Sequence, residues 1–395
     1  MGLMLFLAGI FIMTFMVGRL LEKIKIPWIF SALLIGLGLA AYNPFRSITS
    51  SSDFLLLANL GMYFLLFIIG FELNIKKILK SSKFILKTTF VIIFSEAIVG
   101  SILVHFVFNV PWLVSVVLAL SFATVGEAVL LPILEEFNLI KTKLGQTILA
   151  VGVLDDVIEV LTVIAIVVIL GYSIGHTHFN IWTNLLILFS LLALVFLLLR
   201  FRNYFSSFKY KDIPSFFFIV IFFFFLFVGL GKFAESAALG ALLAGISLKN
   251  IVPKKILAVI ESEIKTLAYG FLAPIFFLWV GLGVNVYYIL KYPTLVLLFA
   301  FATYLAKAIS SYIITRKELG SKKAILLGIG LCVRFSTSIV ILKLLVEGNL
   351  IGTGIYSVLI GTQLLFIVIP FVLSYLIDRW NIGFDRIQSD KTAVQ

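Results

Sequence analysis

Three carboxylates stand in the middle of an apolar run long enough to cross a bilayer: Asp155, Asp156 and Glu159, within residues 144–170. A spanning helix needs about 20 mostly apolar residues, and an acid near its centre costs a few kcal/mol on insertion scales. Asp155 and Glu159 are four apart and share a helix face, while Asp156 is turned about 100° from Asp155. Adjacent carboxylates repel each other's charge, so one is driven toward protonation unless a cation sits between them. A desolvated carboxylate takes a proton or a hard cation through the same oxygens, and the two compete. That competition is the chemistry of ion exchange, and a transported cation is the reason such a cluster would lie at this depth.

The other charges inside apolar runs are read against this cluster. Lys307 lies well within its segment, and burial of an ammonium calls for an acid nearby. Asp155 and Asp156 are the expected partners, which would let the lysine hold a carboxylate after the cation has left. Snorkelling toward the basic loop at Arg316 is the alternative. Arg334 keeps its charge and so needs a permanent partner, either Glu127 or Glu159, in a pair that holds structure together. Glu96 joins this network or lines the path by which ions reach it. Glu72 and Glu235 read as interfacial charges. His105, His176 and His178 fall at or near the outer side in no metal-ligand pattern.

The elements that must position these residues are membrane helices. Hydrophobic residues make up 62% of the 395, charged residues 13%, and the mean hydropathy is +1.18. A soluble domain carries about 25% charged residues. Thirteen apolar segments can be drawn: 2–18, 27–42, 53–71, 84–108, 112–134, 144–171, 181–199, 213–230, 236–248, 266–287, 292–314, 324–346 and 352–377. The short, Gly/Ala-rich run at 236–248 is the weakest of these, and Phe-rich 216–227 reads as lipid-facing or packing surface. The N-terminus reads as a first membrane helix, without the basic region or cleavage signature of a signal peptide. One cysteine, Cys332, allows no intrachain disulfide and no thiolate cluster.

Charge placement tests the count. Of 31 Lys and Arg residues, 24 fall in the loops after odd-numbered segments or in the tail, three (Arg46, Lys232 and Lys291) in the opposite loops, and four inside segments. The positive-inside rule then sets the N-terminus outside and the C-terminus in the cytoplasm. The net charge of +12 is therefore a topological signal, and no nucleic-acid partner is implied.

Thirteen segments divide as six, one linker and six, so that the two halves would be inverted repeats. Segments 5 and 12 then correspond, and both are interrupted. Ser121, Thr124, Gly126, Glu127 and Pro132 break the first; Gly328, Gly330, Cys332, Arg334, Ser336, Thr337 and Ser338 lie in the second. Broken helices at matching places in two inverted halves point to a transporter's binding site, and unwound backbone at membrane depth must be buried or line a cavity. Small residues packing between close helices are the plainer explanation of the glycines alone. With Glu127 and Arg334 beside them, the functional reading is preferred.

These stretches resemble a known family. The segment SFATVGEAVLLPILEEFNLIKTKLGQTILAVGVL ahead of Asp155-Asp156 is similar to the cation:proton antiporter-2 family, which includes NapA-type sodium/proton antiporters and the membrane part of Kef-type potassium efflux proteins. IKIPWIFSALLIGLGLAAYNP, YFLLFIIGFELNIKKI, GKFAESAALGALLAGISL and LAPIFFLWVGLGVN extend the resemblance over residues 5–375. It implies an all-α polytopic fold of 13 transmembrane helices in two inverted six-helix repeats with two discontinuous crossing helices. A dimerisation domain would comprise residues 1–80 and 211–290, and a core ion-transport domain 81–175 and 291–378. A linker helix at 176–210 and a short cytoplasmic tail at 379–395 complete the division.

The resemblance also implies site roles. Asp156 is the principal carboxylate, alternately protonated and cation-bound; Asp155 is its neighbour, paired with Lys307 when no cation is bound. Thr124 lies at the first crossing, with Gly126 beside it, and the backbone around Cys332–Ser336 at the second. The family forms homodimers and works by elevator-like alternating access, and an Asp-Asp pair with the lysine goes with electrogenic exchange. Where the family commonly has Gly-Glu after the segment 12 arginine, this chain has Phe335-Ser336, and Glu127 or Glu159 would substitute from across the core. The expected function is thus exchange of Na⁺ or Li⁺ for H⁺ in the cell membrane, with no cofactor and no enzymatic activity. K⁺/H⁺ exchange is the alternative, and a non-transporting sensor on the same scaffold a more remote one.

Overall fold

The computed structural model describes residues 2–23, 28–73, 82–125, 127–173, 181–200, 213–233, 237–253, 255–333 and 336–382. Its elements are helical: α1 (Leu3–Lys23), α2 (Phe30–Ala41), α3 (Arg46–Thr49), α4 (Ser52–Glu72), α5 (Lys83–Phe108), α6 (Trp112–Phe122), α7 (Glu127–Glu136), α8 (Lys143–Ser173), α9 (Ile181–Arg200) and α10 (Ile213–Phe233). There follow α11 (Ala237–Ile251), α12 (Leu257–Leu267), a π-helical turn (Ala268–Leu272), α13 (Ala273–Leu282), α14 (Val286–Lys291), α15 (Pro293–Leu319), α16 (Ser321–Leu331) and α17 (Ser336–Glu347). The last are α18 (Thr353–Leu365), a 3-10 turn (Phe366–Val368) and α19 (Ile369–Arg379). Among the described residues, seven helical runs are long and apolar enough to span a membrane, two of them made of helices joined through a π or 3-10 turn.

The helix ends follow local chemistry. Ser51 caps α4 and Ser82 caps α5, each side-chain oxygen accepting a backbone N–H three residues on at 3.3 Å. Pro293 opens α15, where a missing N–H costs nothing. Gly320, at φ +79°, makes the tight turn from α15 into α16, a conformation that L side chains rarely adopt. The faces left bare are apolar: Phe90, Phe94, Ile98 and Phe106 on α5, and Leu297, Phe301, Ile309 and Ile313 on α15. In water this would be a liability, whereas in lipid it is the ordinary exterior. α10 uses its phenylalanines both ways, with Phe218, Phe222 and Phe225 exposed and Phe216, Phe224 and Phe227 buried.

Where the sequence drew one segment at 266–287, the structure starts the helical run earlier, at Leu257, and ends it at Leu282. The first turns of α12 carry Glu261, Glu263 and Lys265, which depress hydropathy below what a segment count recognises.

The chain divides into two compact units. The first comprises Met1–Phe15, Ile29–Leu73 and Val160–Gly283. Its packing depends on glycine: α4 lies so close to α11 that a Cβ on Gly70 would meet the Leu242 carbonyl, and one on Gly245 the Phe67 carbonyl. Backbones brought together by small residues are the usual way to associate helices in a bilayer, where burying apolar surface gives no advantage over lipid. α2 and α13 approach in the same way at Gly36 and Gly281. Ser31 donates to the Thr14 carbonyl at 2.8 Å, and Lys265 pairs with Glu72 at 2.7 Å and Glu261 at 2.8 Å.

The second unit comprises Met16–Trp28, Asn74–Glu159 and Val284–Gln395. Here α5 packs against both α6 and α15, and α15 against α16. A core of Leu130, Leu134, Ile148, Val151, Leu327, Leu331 and Leu373 joins α7, α8, α16 and α19. Among the described residues, the buried charges Glu96, Asp155, Glu159, Lys307 and Lys343 lie in this unit.

Candidate functional site

Two helices of the second unit stop short within the protein. α6 ends at Phe122, Ala123–Val125 are not helical, and α7 starts at Glu127; α16 ends at Leu331 and α17 starts at Ser336. Any helix leaves the carbonyls of its last turn without intrahelical partners, and the C-terminal end carries partial negative charge. Far from water, such an end needs a donor.

Lys307 supplies it to both. From α15, its Nζ donates to the Ala123 carbonyl at 3.0 Å and to the Leu331 carbonyl at 2.9 Å, and it forms an ion pair with Glu96 Oε2 of α5 at 2.9 Å. The Thr124 carbonyl lies further off, at 3.4 Å. The side chains of Lys307 and Glu96 are both 0% exposed. One ammonium thus bridges the negative ends of two half-helices and is neutralised by a third helix.

Asp155 lies on the other side of the first break. Its carboxylate, 1% exposed, accepts the backbone N–H of Val125 at 2.5 Å. That amide stands just ahead of α7, where a helix presents its positive end, so a carboxylate is favoured there. Thr124 is buried beside it, and its hydroxyl donates to the Ser121 carbonyl at 3.4 Å. Glu159, one turn further along α8, is buried as well. The arrangement separates charge across a few residues of unwound chain: an anionic carboxylate at the start of one half-helix and a cationic lysine at the end of the other.

The sequence points to Asp155 and Asp156 as partners of Lys307; among the described side chains, the acid in an ion pair with it is Glu96. The reason is the packing of α5 on α15, which turns residues 96 and 307 toward each other. Thr124 and Cys332 occupy the breaks themselves, and Cys332 is fully buried. Gly126 and Arg334 lie outside the described residues, as do the side chains of Glu127, Asp156 and Ser336, and also His176, His178 and Glu235. His105 is half-buried, with Nδ1 2.7 Å from the Val110 carbonyl and its ring stacked on Trp112.

One buried charge was missed. Lys343 on α17 is nearly inaccessible, pairs with the half-exposed Glu347 at 2.8 Å, and has its Nζ 5.8 Å from the centre of the Tyr356 ring. A lysine inside segment 324–346 was the signal, and Arg334 in the same segment drew attention from it.

The family described as sodium/hydrogen exchanger, transmembrane, matches residues 9–377. A Na(+)/H(+) antiporter of Enterococcus hirae is 26% identical over 369 residues, covering 90% of this chain and 92% of its own. A probable Na(+)/H(+) antiporter 3 of Methanocaldococcus jannaschii is 25% identical over 372 residues, with 92% and 93% covered. The solved structure of the sodium proton antiporter MjNhaP1 from Methanocaldococcus jannaschii at pH 8 superposes with a TM-score of 0.60 at 17% identity, over 95% of this chain and 94% of that one. At that identity the likeness is one of fold.

Proposed function

We infer the function from the family to which the chain belongs, the transmembrane sodium/hydrogen exchangers: it is a secondary active antiporter that exchanges Na⁺ for H⁺ across a membrane. It is a multi-pass membrane protein and not an enzyme. Alternating access is of the elevator kind, in which the ion-binding domain moves as a body and exposes its site to one side at a time.

The observation that carries the site assignment is a buried Asp155 whose carboxylate is held by backbone at the break between two half-helices. Asp156 follows it on the same continuous helix, and in this reading it binds cation and proton in turn, with Thr124 and the unwound backbone supplying further oxygens. Exclusive binding is enforced by charge. The carboxylate pair holds one cation or more than one proton, never both together, and the occupied pair, its charge reduced, crosses a low-dielectric barrier at less cost than the empty one. A missing local acid after Arg334 leaves Glu127 or Glu159 to neutralise that arginine.

The finer architecture belongs to the same reading. It comprises thirteen spans as two inverted repeats of six, with the N-terminus outside and the C-terminus inside, and a homodimer formed through residues 1–80 and 211–290. The charge distribution supports the topology, and the two broken helices support the repeat. Exchange is electrogenic, more than one proton passing for each cation.

The test is transport in proteoliposomes with a pH-sensitive dye. Addition of NaCl or LiCl collapses a preset pH gradient, and D156N abolishes the response while remaining folded. A response to KCl alone would replace Na⁺ by K⁺ as the substrate. A full response by D156N would refute the site, and no response to any alkali cation would refute antiport.

A further inference from the structure

The first unit holds a cleft that has no part in ion exchange. Gly36 of α2 and Gly281 of α13 bring those two helices into backbone contact. Where the helices end they line, with the start of α4, an open cavity of about 580 Å³, a volume in the range of small-ligand sites. The turn through α3 contributes Asn43, Arg46 and Thr49 to the lining, and the helices contribute Leu39, Leu55 and Leu282. That turn is fixed by its own bonds: Asn43 Oδ1 accepts the Phe45 N–H and Asn43 Nδ2 donates to Thr49 Oγ1, both at 2.9 Å. Arg46 is left over. It is exposed, and among the described residues no acid pairs with it.

The cleft lies at the level of lipid headgroups. α4 and the run that ends at Leu282 are each long and apolar enough to span a membrane, so their ends stand where hydrocarbon gives way to headgroups. Tyr42, 79% exposed, and Trp279, which lines the cleft, are the amphipathic aromatics that gather at that boundary. On the topology proposed above this end faces outward, the side depleted of lysine and arginine, and Arg46 is one of three basic residues in those loops. A charge placed against that bias calls for a local anion.

We propose that this cleft binds an anionic phospholipid, its phosphate against the Arg46 guanidinium and its glycerol and upper acyl carbons against Leu39, Leu55 and Leu282. A guanidinium offers two parallel donors to phosphate oxygens, and Ser50, also in the lining, has a hydroxyl to add. The leucines decide between sources of phosphate. A soluble anion gains nothing from them, whereas the carbon chain of a lipid packs on them.

Thermal unfolding of the full chain in a neutral detergent tests this, with titration of phosphatidylglycerol, phosphatidylcholine or glycerol phosphate. Phosphatidylglycerol should raise the Tm of the parent. In R46Q the half-maximal lipid concentration should rise about tenfold, the scale of one lost charge-assisted hydrogen bond. R46K, which keeps the charge without the fork, should fall between the two. A40F keeps the arginine but fills the cleft, and should also lose the response, which separates the cleft from general attraction of lipid to basic loops. An unresponsive parent, an R46Q or A40F that responds as the parent does, or phosphatidylcholine acting as well as phosphatidylglycerol would overturn the proposal. Glycerol phosphate reproducing the whole effect would overturn the lipid and leave a soluble anion. None of these readouts needs transport, so a chain that exchanges no alkali cation would refute the antiporter reading and leave this site standing.

Discussion

Replacing Asp155 by alanine and, separately, by asparagine distinguishes what its carboxylate does for the backbone from what its charge does for transport. In the structure it accepts the Val125 N–H while 1% exposed. A hydrogen bond to a charged group contributes about 1.5–3 kcal/mol, and a buried N–H left without an acceptor costs about 1–3 kcal/mol. These overlap, so D155A should lose about 2–3 kcal/mol. Asparagine retains an oxygen at the same reach, and a neutral bond still contributes about 1 kcal/mol, so D155N should lose about 1–1.5 kcal/mol. For a soluble domain of comparable size, 1 kcal/mol moves Tm by about 2–4 °C. The expected shifts are then about 4–12 °C for D155A and roughly half that for D155N. The protein provides its own reporter: Cys332 is the single cysteine, buried at the second break, and a thiol-reactive fluorogenic dye labels it as the second unit opens. Because unfolding of such proteins is often irreversible, all variants are compared at one scan rate. Transport should be impaired in both variants alike, since both lack the charge. Equal melting losses in D155N and D155A would refute the argument that the carboxylate holds the break, and a D155A protein as stable as the parent would refute it more directly.

Two further outcomes are expected. G245V should drive α4 and α11 apart, because its Cβ meets backbone of Phe67 and Phe71, and should cost about 1–3 kcal/mol or more, whereas G9A, with open space around its Cβ, should be neutral or stabilising by up to about 1 kcal/mol. Melting temperature and monodispersity on size exclusion check both. On a C332A background, S50C should react with a membrane-impermeant maleimide in intact cells and K322C only after permeabilisation, as the positive-inside assignment requires; the reverse labelling would invert the topology.

The buried Asp155, the interrupted segments and the membrane class were legible in the sequence because each depends on neighbours close along the chain. An acid in an apolar run, or glycine and serine in the middle of a span, announces itself within a few residues. Hydropathy also failed locally, at the start of α12, where Glu261, Glu263 and Lys265 hid the first turns of a helix that runs on to Leu282. Lys343 was overlooked for a different reason. Its partner Glu347 is one turn along the same helix, but the buried ring of Tyr356 comes near only once α17 and α18 are packed.

The identity of the acid that neutralises Lys307 was settled only by tertiary structure. From the sequence, Asp155 and Asp156 were the expected partners, and Glu96 was placed in the arginine's network or along the ion path. The choice rests on how α5 and α15 are rotated about their own axes, and that rotation is fixed by helix packing over the whole interface. Likewise the sequence announced that two helices are broken, but the backbone fold alone brings the carbonyl ends at Ala123 and Leu331 to within reach of one ammonium. A chain's residue types determine which charges must be buried; the three-dimensional packing determines which of them meet.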